Sequence, residues 1–258
     1  MNTAVVAITS HGAVVGAKLK SELSCILYLP DQIAVKEVEA HRYGSSTKDL
    51  ISDIWPKYDA IIFIMAMGIV TRIIKDHIKD KHTDPAVVVV DEMGRYAISA
   101  LSGHEGGANR LAEKVALVCG GDFVVTTGSE AIKALIIGMG CKRGMPAGRL
   151  EDALKKSLEM IGRDLSEVRL ITSVENKSDE AGLHELSEKN GIPLKFISRD
   201  MINVVGENFE GSELVKKNIG VPAVAEPCAM LGGFRCQLLL KKTKMDGITV
   251  AIAEERFL

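Results

Sequence analysis

Short apolar runs alternate along the chain with longer stretches whose apolar positions recur every three or four residues. AVVAI (4–8), CILYL (25–29), DAIIFIMA (59–66) and PAVVVVD (85–91) each predict a buried strand. Between them the spacing predicts a helix after His11-Gly12, a second over 46–54 capped by Ser46 or Thr47, and a third over 68–78. MGRYAIS (93–99) is expected to pair antiparallel with the fourth strand through a turn at Gly94. A helix over 107–119 and a strand DFVVT (122–126) close this set. The rhythm then restarts with strands at 134–140, 168–173 and 193–198 and helices at 147–161, 179–190 and 212–218. VPAVAEPCAMLGG (221–233) reads as a turn and a short helix, with Glu226 a polar contact. RCQLLLKK (235–242) and GITVAIAE (247–254), joined by KMDG, read as a β-hairpin. Continuous apolar strands separated by helices predict α/β architecture. Two domains are expected, 1–130 and 131–258, each a mostly parallel sheet with flanking helices, the second ending in the hairpin.

Composition narrows the function classes. The 258 residues are 47% hydrophobic, enough to build real cores. A net charge of −2 and 4% aromatic residues supply neither a basic footprint nor a stacking platform for nucleic acid. The five cysteines form no CxxC pair, so a structural zinc site or a disulfide framework is not expected, and a reducing cytoplasm fits. The longest apolar run, 60–70, is too short to span a membrane, and the first residues do not read as a signal peptide.

The chemistry concentrates in glycine-bearing turns. In LSGHEGGAN (101–109), three glycines within five residues surround Ser102, His104 and Asn109 directly before a helix. Such a cost to regular structure is met where a turn is tight or a ligand approaches the backbone. Ser102 is placed to cap the helix, and a histidine can move protons near neutral pH. Gly68, Thr71 and Arg72 open the third helix, either as an anion site or as an ordinary solvated helix start. Asp91 and Glu92 end the fourth strand, as a general base or as turn chemistry. In the second half, Gly138-Met139-Gly140-Cys141-Lys142-Arg143-Gly144 matches neither GxxxxGK[ST] nor GxGxxG. It reads as a nest of N–H groups beside two cations, suited to carboxylates, with Cys141 either a thiolate or a small residue in a turn. Ser173, Lys177, Asp179 and Glu180 cluster after the next strand, and the two acids also suit the dipole of the helix that follows.

The run DKHTDPAVVVVDEMGRYAISALSGHEGGANRLA (80–112), flanked by MGIVTR (67–72) and VTTGSE (125–130), resembles the cobalamin biosynthesis protein G family. GMGCKRG (138–144), SVENKSDEAGL (173–183) and the GVPAVAEPCAM region (220–230) extend the resemblance over nearly the whole chain. This second half is also similar to the small stand-alone protein E of the aerobic pathway. Two departures stand out. The middle segment common in that family is replaced by residues 128–134, and Lys142 stands where arginine is frequent.

The resemblance implies a cytoplasmic hydrolase of corrin metabolism that opens the δ-lactone of cobalt-precorrin-5A, giving cobalt-precorrin-5B and acetaldehyde. No cofactor is expected, since cobalt would arrive inside the tetrapyrrole. The implied partners are that macrocycle, transiently other corrin-pathway enzymes, and a second copy of the chain. His104, Asp91 and Glu92 are the candidate catalytic residues. Gly68, Thr71, Arg72, Ser102, Gly103, Gly106, Gly107, Asn109, Gly140, Cys141, Lys142, Arg143, Ser173 and Lys177 are the candidate substrate contacts. A non-catalytic corrinoid carrier and a nucleotide-binding regulator are the competing readings.

Overall fold

The computed structural model describes every residue except 36, 37, 207, 208, 210–220, 222, 257 and 258. The helix expected over 212–218 lies outside the described residues. The chain divides into two compact units, residues 1–127 and 128–258.

In the first unit, the four apolar runs become β1 (Thr3–Ala7), β2 (Ile26–Pro30), β4 (Ala60–Ile64) and β5 (Ala86–Val90). The sheet also holds β3 (His41–Tyr43), β6 (Tyr96–Leu101) and β7 (Asp122–Val124), in the order β3-β2-β1-β4-β5-β6-β7. β1 to β5 run parallel; β6 is antiparallel to β5, and β7 is parallel to β6. Alternate side chains feed two cores, the period-2 consequence of the pleat. Val5, Ala7, Ile62 and Val88 pack with Leu19 of α1 (Ser10–Leu23) and Val115 of α4 (Ala108–Cys119). Ala4, Val6, Phe63 and Val87 pack with Leu50 of α2 (Thr47–Ile54) and Val70 of α3 (Met67–Ile74). Two helices are capped by hydroxyls: Thr9 accepts from the Gly12 N–H at 3.1 Å, and Ser46 from the Asp49 N–H at 3.2 Å.

The second unit opens with α5 (Gly128–Ala131) and builds a five-stranded sheet in the order β10-β9-β8-β12-β11. β8 (Leu135–Cys141), β9 (Val168–Val174) and β10 (Leu194–Ile197) are parallel. The hairpin β11 (Cys236–Met245) and β12 (Ile248–Glu255) returns antiparallel to β8. α6 (Ala147–Glu159) and α7 (Ala181–Asn190) cover one face through Leu150, Leu154, Leu183 and Leu186. α8 (Arg199–Gly206) and α9 (Ala225–Leu231) contribute to clusters built from Ile202, Cys228, Ala225 and Ala229. α9 lies so close to β8 that a Cβ on Gly138 would fall inside contact distance of the Ala225 carbonyl. Glycine is what allows that helix to seat.

A buried ion pair fixes the turn that leaves β8. Lys177 and Glu180 are 7% and 4% exposed, and their charged groups stand 3.0 Å apart. The second Glu180 oxygen accepts the Gly144 N–H at 2.7 Å. Burial alone would raise the Glu180 pKa. The Lys177 ammonium and the N–H groups of Gly144 and Met145 outweigh it and hold the carboxyl below its ordinary 4.5.

Gly138→Ala is expected to destabilise the intact chain by about 2 kcal/mol or more, the cost of overpacking against backbone. Gly148→Ala, on an open stretch of α6 with nothing near its added methyl, is expected to be neutral or stabilising by up to ~1 kcal/mol. Urea unfolding of the two variants separates a packing constraint from a general intolerance of alanine. Because the Glu180 pKa is depressed on folding, its contribution is full above about pH 4.5 and fades as pH falls through the lower folded value. Glu180→Gln should therefore lie well below the parent in Tm near pH 7, and the gap should narrow under acid. A gap that stays constant down to about pH 3 removes Glu180 as the group responsible.

Candidate functional site

The first unit separates its candidate residues into two groups at opposite ends of the sheet. The cause is the direction of β6. Val90 pairs with Ala97 and Val87 with Leu101, so the chain leaves β6 beside the amino end of β5. The turn that produces this reversal is held by Asp91. Its Oδ1 accepts the N–H groups of Arg95 at 2.6 Å and Tyr96 at 3.0 Å, and its Oδ2 accepts from the Arg95 guanidinium at 2.9 Å. Burial pushes the Asp91 pKa up, but these donors more than cancel that and leave it below its usual value. An acid so engaged is a weak base, and Asp91 is a turn-forming residue. Glu92 sits half-buried in the same turn.

At that carboxyl end stand Gly68, Thr71 and Arg72. Thr71 and Arg72 both fold back onto the Gly68 carbonyl, at 3.2 and 2.8 Å, and satisfy the first turn of α3. Five strand residues at roughly 3.3 Å each put this end ~16 Å from the loop that follows β6. The glycine loops at 68 and 103–107 therefore do not converge within this unit.

The loop 102–109 instead meets two other segments at the amino end. Ser102, which the sequence placed as a helix cap, is buried and donates from its hydroxyl to the Asp84 carbonyl at 3.1 Å. The residue that caps α4 is Gly107, at φ 84°, a left-handed conformation that suits glycine. A side chain on Gly106 would run into Ser102, with the Ser102 carbonyl at 2.8 Å. Asn109 is 7% exposed; its Oδ1 accepts from Ser99 at 2.7 Å and its Nδ2 donates to Thr127 at 2.9 Å. Its amide is consumed inside the protein, where it ties this loop to the segment after β7. Gly103 leaves room for that amide, standing against Asn109 Oδ1 and Thr127 Cγ2. On the other side, buried Asp84 accepts the N–H groups of Lys79 and Asp80 at 2.8 and 3.0 Å and shapes the 80–84 turn. Lys81 reaches across from that turn to Glu105 at 2.5 Å. His104 is exposed at the crest and makes no hydrogen bond with the described residues. The N–H groups of Gly106 and Gly107 donate to no protein acceptor among them. Three parts of the sequence, 80–84, 102–109 and 125–127, thus share one rim.

The second unit corrects the reading of residues 138–144. β8 continues to Cys141, so Gly140 and Cys141 pair with Thr249 and Ile248 of β12 and are not part of a loop. The remaining nest already holds a carboxylate, that of Glu180, and Lys177 is buried against it. Arg143 pairs with Asp179 at 2.8 Å in the open. Burial pushes the Cys141 thiol up, outweighing the nearby Lys177, so it is not an activated thiolate. Ser173 is fully buried and donates to the Met139 carbonyl at 2.7 Å. Lys142 is exposed, its stem against Gly247. Glu226 is buried and accepts the Lys242 N–H at 3.1 Å. No three of His, Cys, Asp and Glu are grouped to hold a metal among the described residues, and no helix there is long and apolar enough to cross a membrane. Sequence reasoning had assigned no role to Lys81, Asp84, Ser99, Glu105 or Thr127. Their only signal is that all five fall within the runs 80–112 and 125–130.

Comparison with known proteins supplies the family. The model for the cobalamin synthesis G N-terminal region matches residues 49–130, and that for the cobalamin synthesis G C-terminus matches 135–253. The cobalt-precorrin-5A hydrolase of Priestia megaterium is 27% identical, with 97% of this chain and 94% of that protein covered. That alignment runs to 352 positions, longer than this chain, so the relative carries segments that this chain lacks. The cobalt-precorrin-5A hydrolase of Salmonella typhimurium is 26% identical over 76% of this chain and 82% of its own length. Among solved structures, CobE, a protein from the cobalamin biosynthetic pathway, is 31% identical over 47% of this chain and 89% of its own, with a TM-score of 0.44. With both family models matched in order along most of its length, the chain belongs to the cobalamin synthesis G family and acts in cobalamin biosynthesis.

Proposed function

We propose that this protein is a cobalt-precorrin-5A hydrolase, which opens the δ-lactone of its macrocycle to give cobalt-precorrin-5B and releases the two-carbon bridge as acetaldehyde. The observation that carries the reading is the rim at the amino end of the first sheet. There an exposed histidine and two N–H groups that find no acceptor among the described residues stand on a loop locked from both sides.

Lactone opening needs a water, a base to take its proton, and support for the oxygen that gains charge. His104 is the base in this reading. The N–H groups of Gly106 and Gly107 support the oxyanion. Water adds to the lactone carbonyl, the ring C–O bond breaks, and a carboxylate and a hydroxyl result. The hydroxyl then gives up its proton to a base, the C–C bond joining its carbon to the ring breaks with its electron pair kept by the conjugated macrocycle, and that carbon leaves with its methyl group as acetaldehyde. Cobalt enters within the substrate macrocycle, so the protein's task is to hold a flat polyanion and place one carbonyl. Asp91 is left out of this mechanism because its carboxylate already serves its turn.

Purified protein incubated with cobalt-precorrin-5A is expected to release acetaldehyde. His104→Ala should slow that release by about 10²–10⁴-fold, the usual contribution of general base catalysis. Undiminished release from the variant eliminates His104 as the base. Retention of an unchanged macrocycle by the parent protein, with no aldehyde, identifies a carrier instead.

A further inference from the structure

The rim holds an ion pair whose arrangement differs from the buried pair of the second unit. Lys81 and Glu105 touch at 2.5 Å, yet their side chains remain 61% and 35% exposed. Exposed pairs contribute little to stability, because water solvates both partners almost as well. The backbone under each partner is nonetheless held firmly. Asp84 fixes the Lys81 turn by accepting two N–H groups, Ser102 bonds that turn to the loop, and the close approach of Gly106 to Ser102 sets the course of residues 102–107. A weak contact between two rigid supports does little for the fold. It does hold the Lys81 ammonium at a defined place, against a carboxylate whose residue adjoins His104 in the loop.

We propose that Lys81 is a carboxylate-binding residue of the substrate site and that Glu105 is its internal stand-in, displaced when a carboxylate arm of the tetrapyrrole arrives. This rests on the hydrolase reading for the identity of the ligand. Exchange of one carboxylate for another leaves Lys81 paired throughout, so no charge is stranded. Glu105 turns to solvent, which it already faces in part. The arm held at Lys81 would bring its pyrrole edge beside His104. Of the charged or titratable neighbours, Asp80 and His82 lie on the Lys81 turn and His104 adjoins Glu105, and none of them forms an ion pair with the Lys81 ammonium. The buried Lys177–Glu180 pair shows the opposite case, an internal carboxylate enclosed with its cation and two N–H groups and so not open to exchange.

The test is equilibrium binding of cobalt-precorrin-5A, followed by the macrocycle's visible absorbance, with aldehyde release read separately. Lys81→Ala should raise Kd about tenfold, the size of one charge-assisted hydrogen bond. Glu105→Gln should lower Kd, because the competitor is gone. In the Lys81→Ala background, Glu105→Gln should have little effect, and Lys81→Arg should restore most of the affinity. Circular dichroism checks that each surface variant is folded. An unchanged Kd in Lys81→Ala overturns the proposal, as does a Glu105→Gln variant that binds more weakly than the parent. If the variants shift Kd as expected and no aldehyde forms, the exchange stands and the hydrolase reading fails. If the parent does not bind the macrocycle, both fail.

Discussion

Asp91 accepts three hydrogen bonds from Arg95 and Tyr96, and the placement of the first unit's chemistry follows from them. In a sheet whose strands all run one way, the loops after the strands collect at the carboxyl end, and ligands are ordinarily held there. The Asp91 turn sends β6 back along β5, and β7 follows β6. Two reversed strands at one side of a five-stranded parallel sheet deliver the loops after them to the amino end. The 80–84 turn is already there because it leads into β5. The rim around His104 is the product of one reversal, and the helix starts at the far end do not take part in it.

The polar groups of this rim divide by burial into those that build it and those left to act. Ser102, Asn109 and Asp84 are buried, and each spends its side chain on another part of the protein. Their isolation in the interior would be costly, so their partners are fixed. His104 is exposed, and Lys81 and Glu105 meet each other with both side chains partly open to solvent. A rigid backbone carrying loosely held side chains suits a site that must position a large ligand without reorganising the fold.

The second unit shows how a sequence that looks like an anion trap can already be filled. Glycine, lysine and arginine in 140–144 resemble a receptor for carboxylates. Thirty-six residues later the chain supplies the carboxylate itself: Glu180 accepts from Gly144, and Asp179 pairs with Arg143. Where Glu180 meets Gly144 and Lys177, the stretch is therefore a structural junction between β8, α6 and α7, while the Arg143–Asp179 pair stays exposed.

Local pattern determined a large share of this protein. Buried runs such as AVVVV in 86–90 read as strands covered on both faces, and of the two hydroxyls offered as the cap of the second helix, Ser46 and Thr47, the structure uses Ser46. The family run at 80–112 pointed to the stretch that carries the rim. Weakly patterned elements escaped, namely β3, three residues of HRY whose partner β2 lies in another segment, and α8, whose start after β10 is marked only by Ser198, which accepts the Met201 N–H at 3.3 Å. What the tertiary structure alone decided was partnership: that Ser102 bonds Asp84 and does not cap a helix, that Asn109 reaches Thr127, and that Glu180 fills the nest at Gly144. Periodicity reports which face of an element is apolar, and that is a local property. Which polar group meets which depends on strand direction and register, and these are set by pairing between segments far apart in the chain.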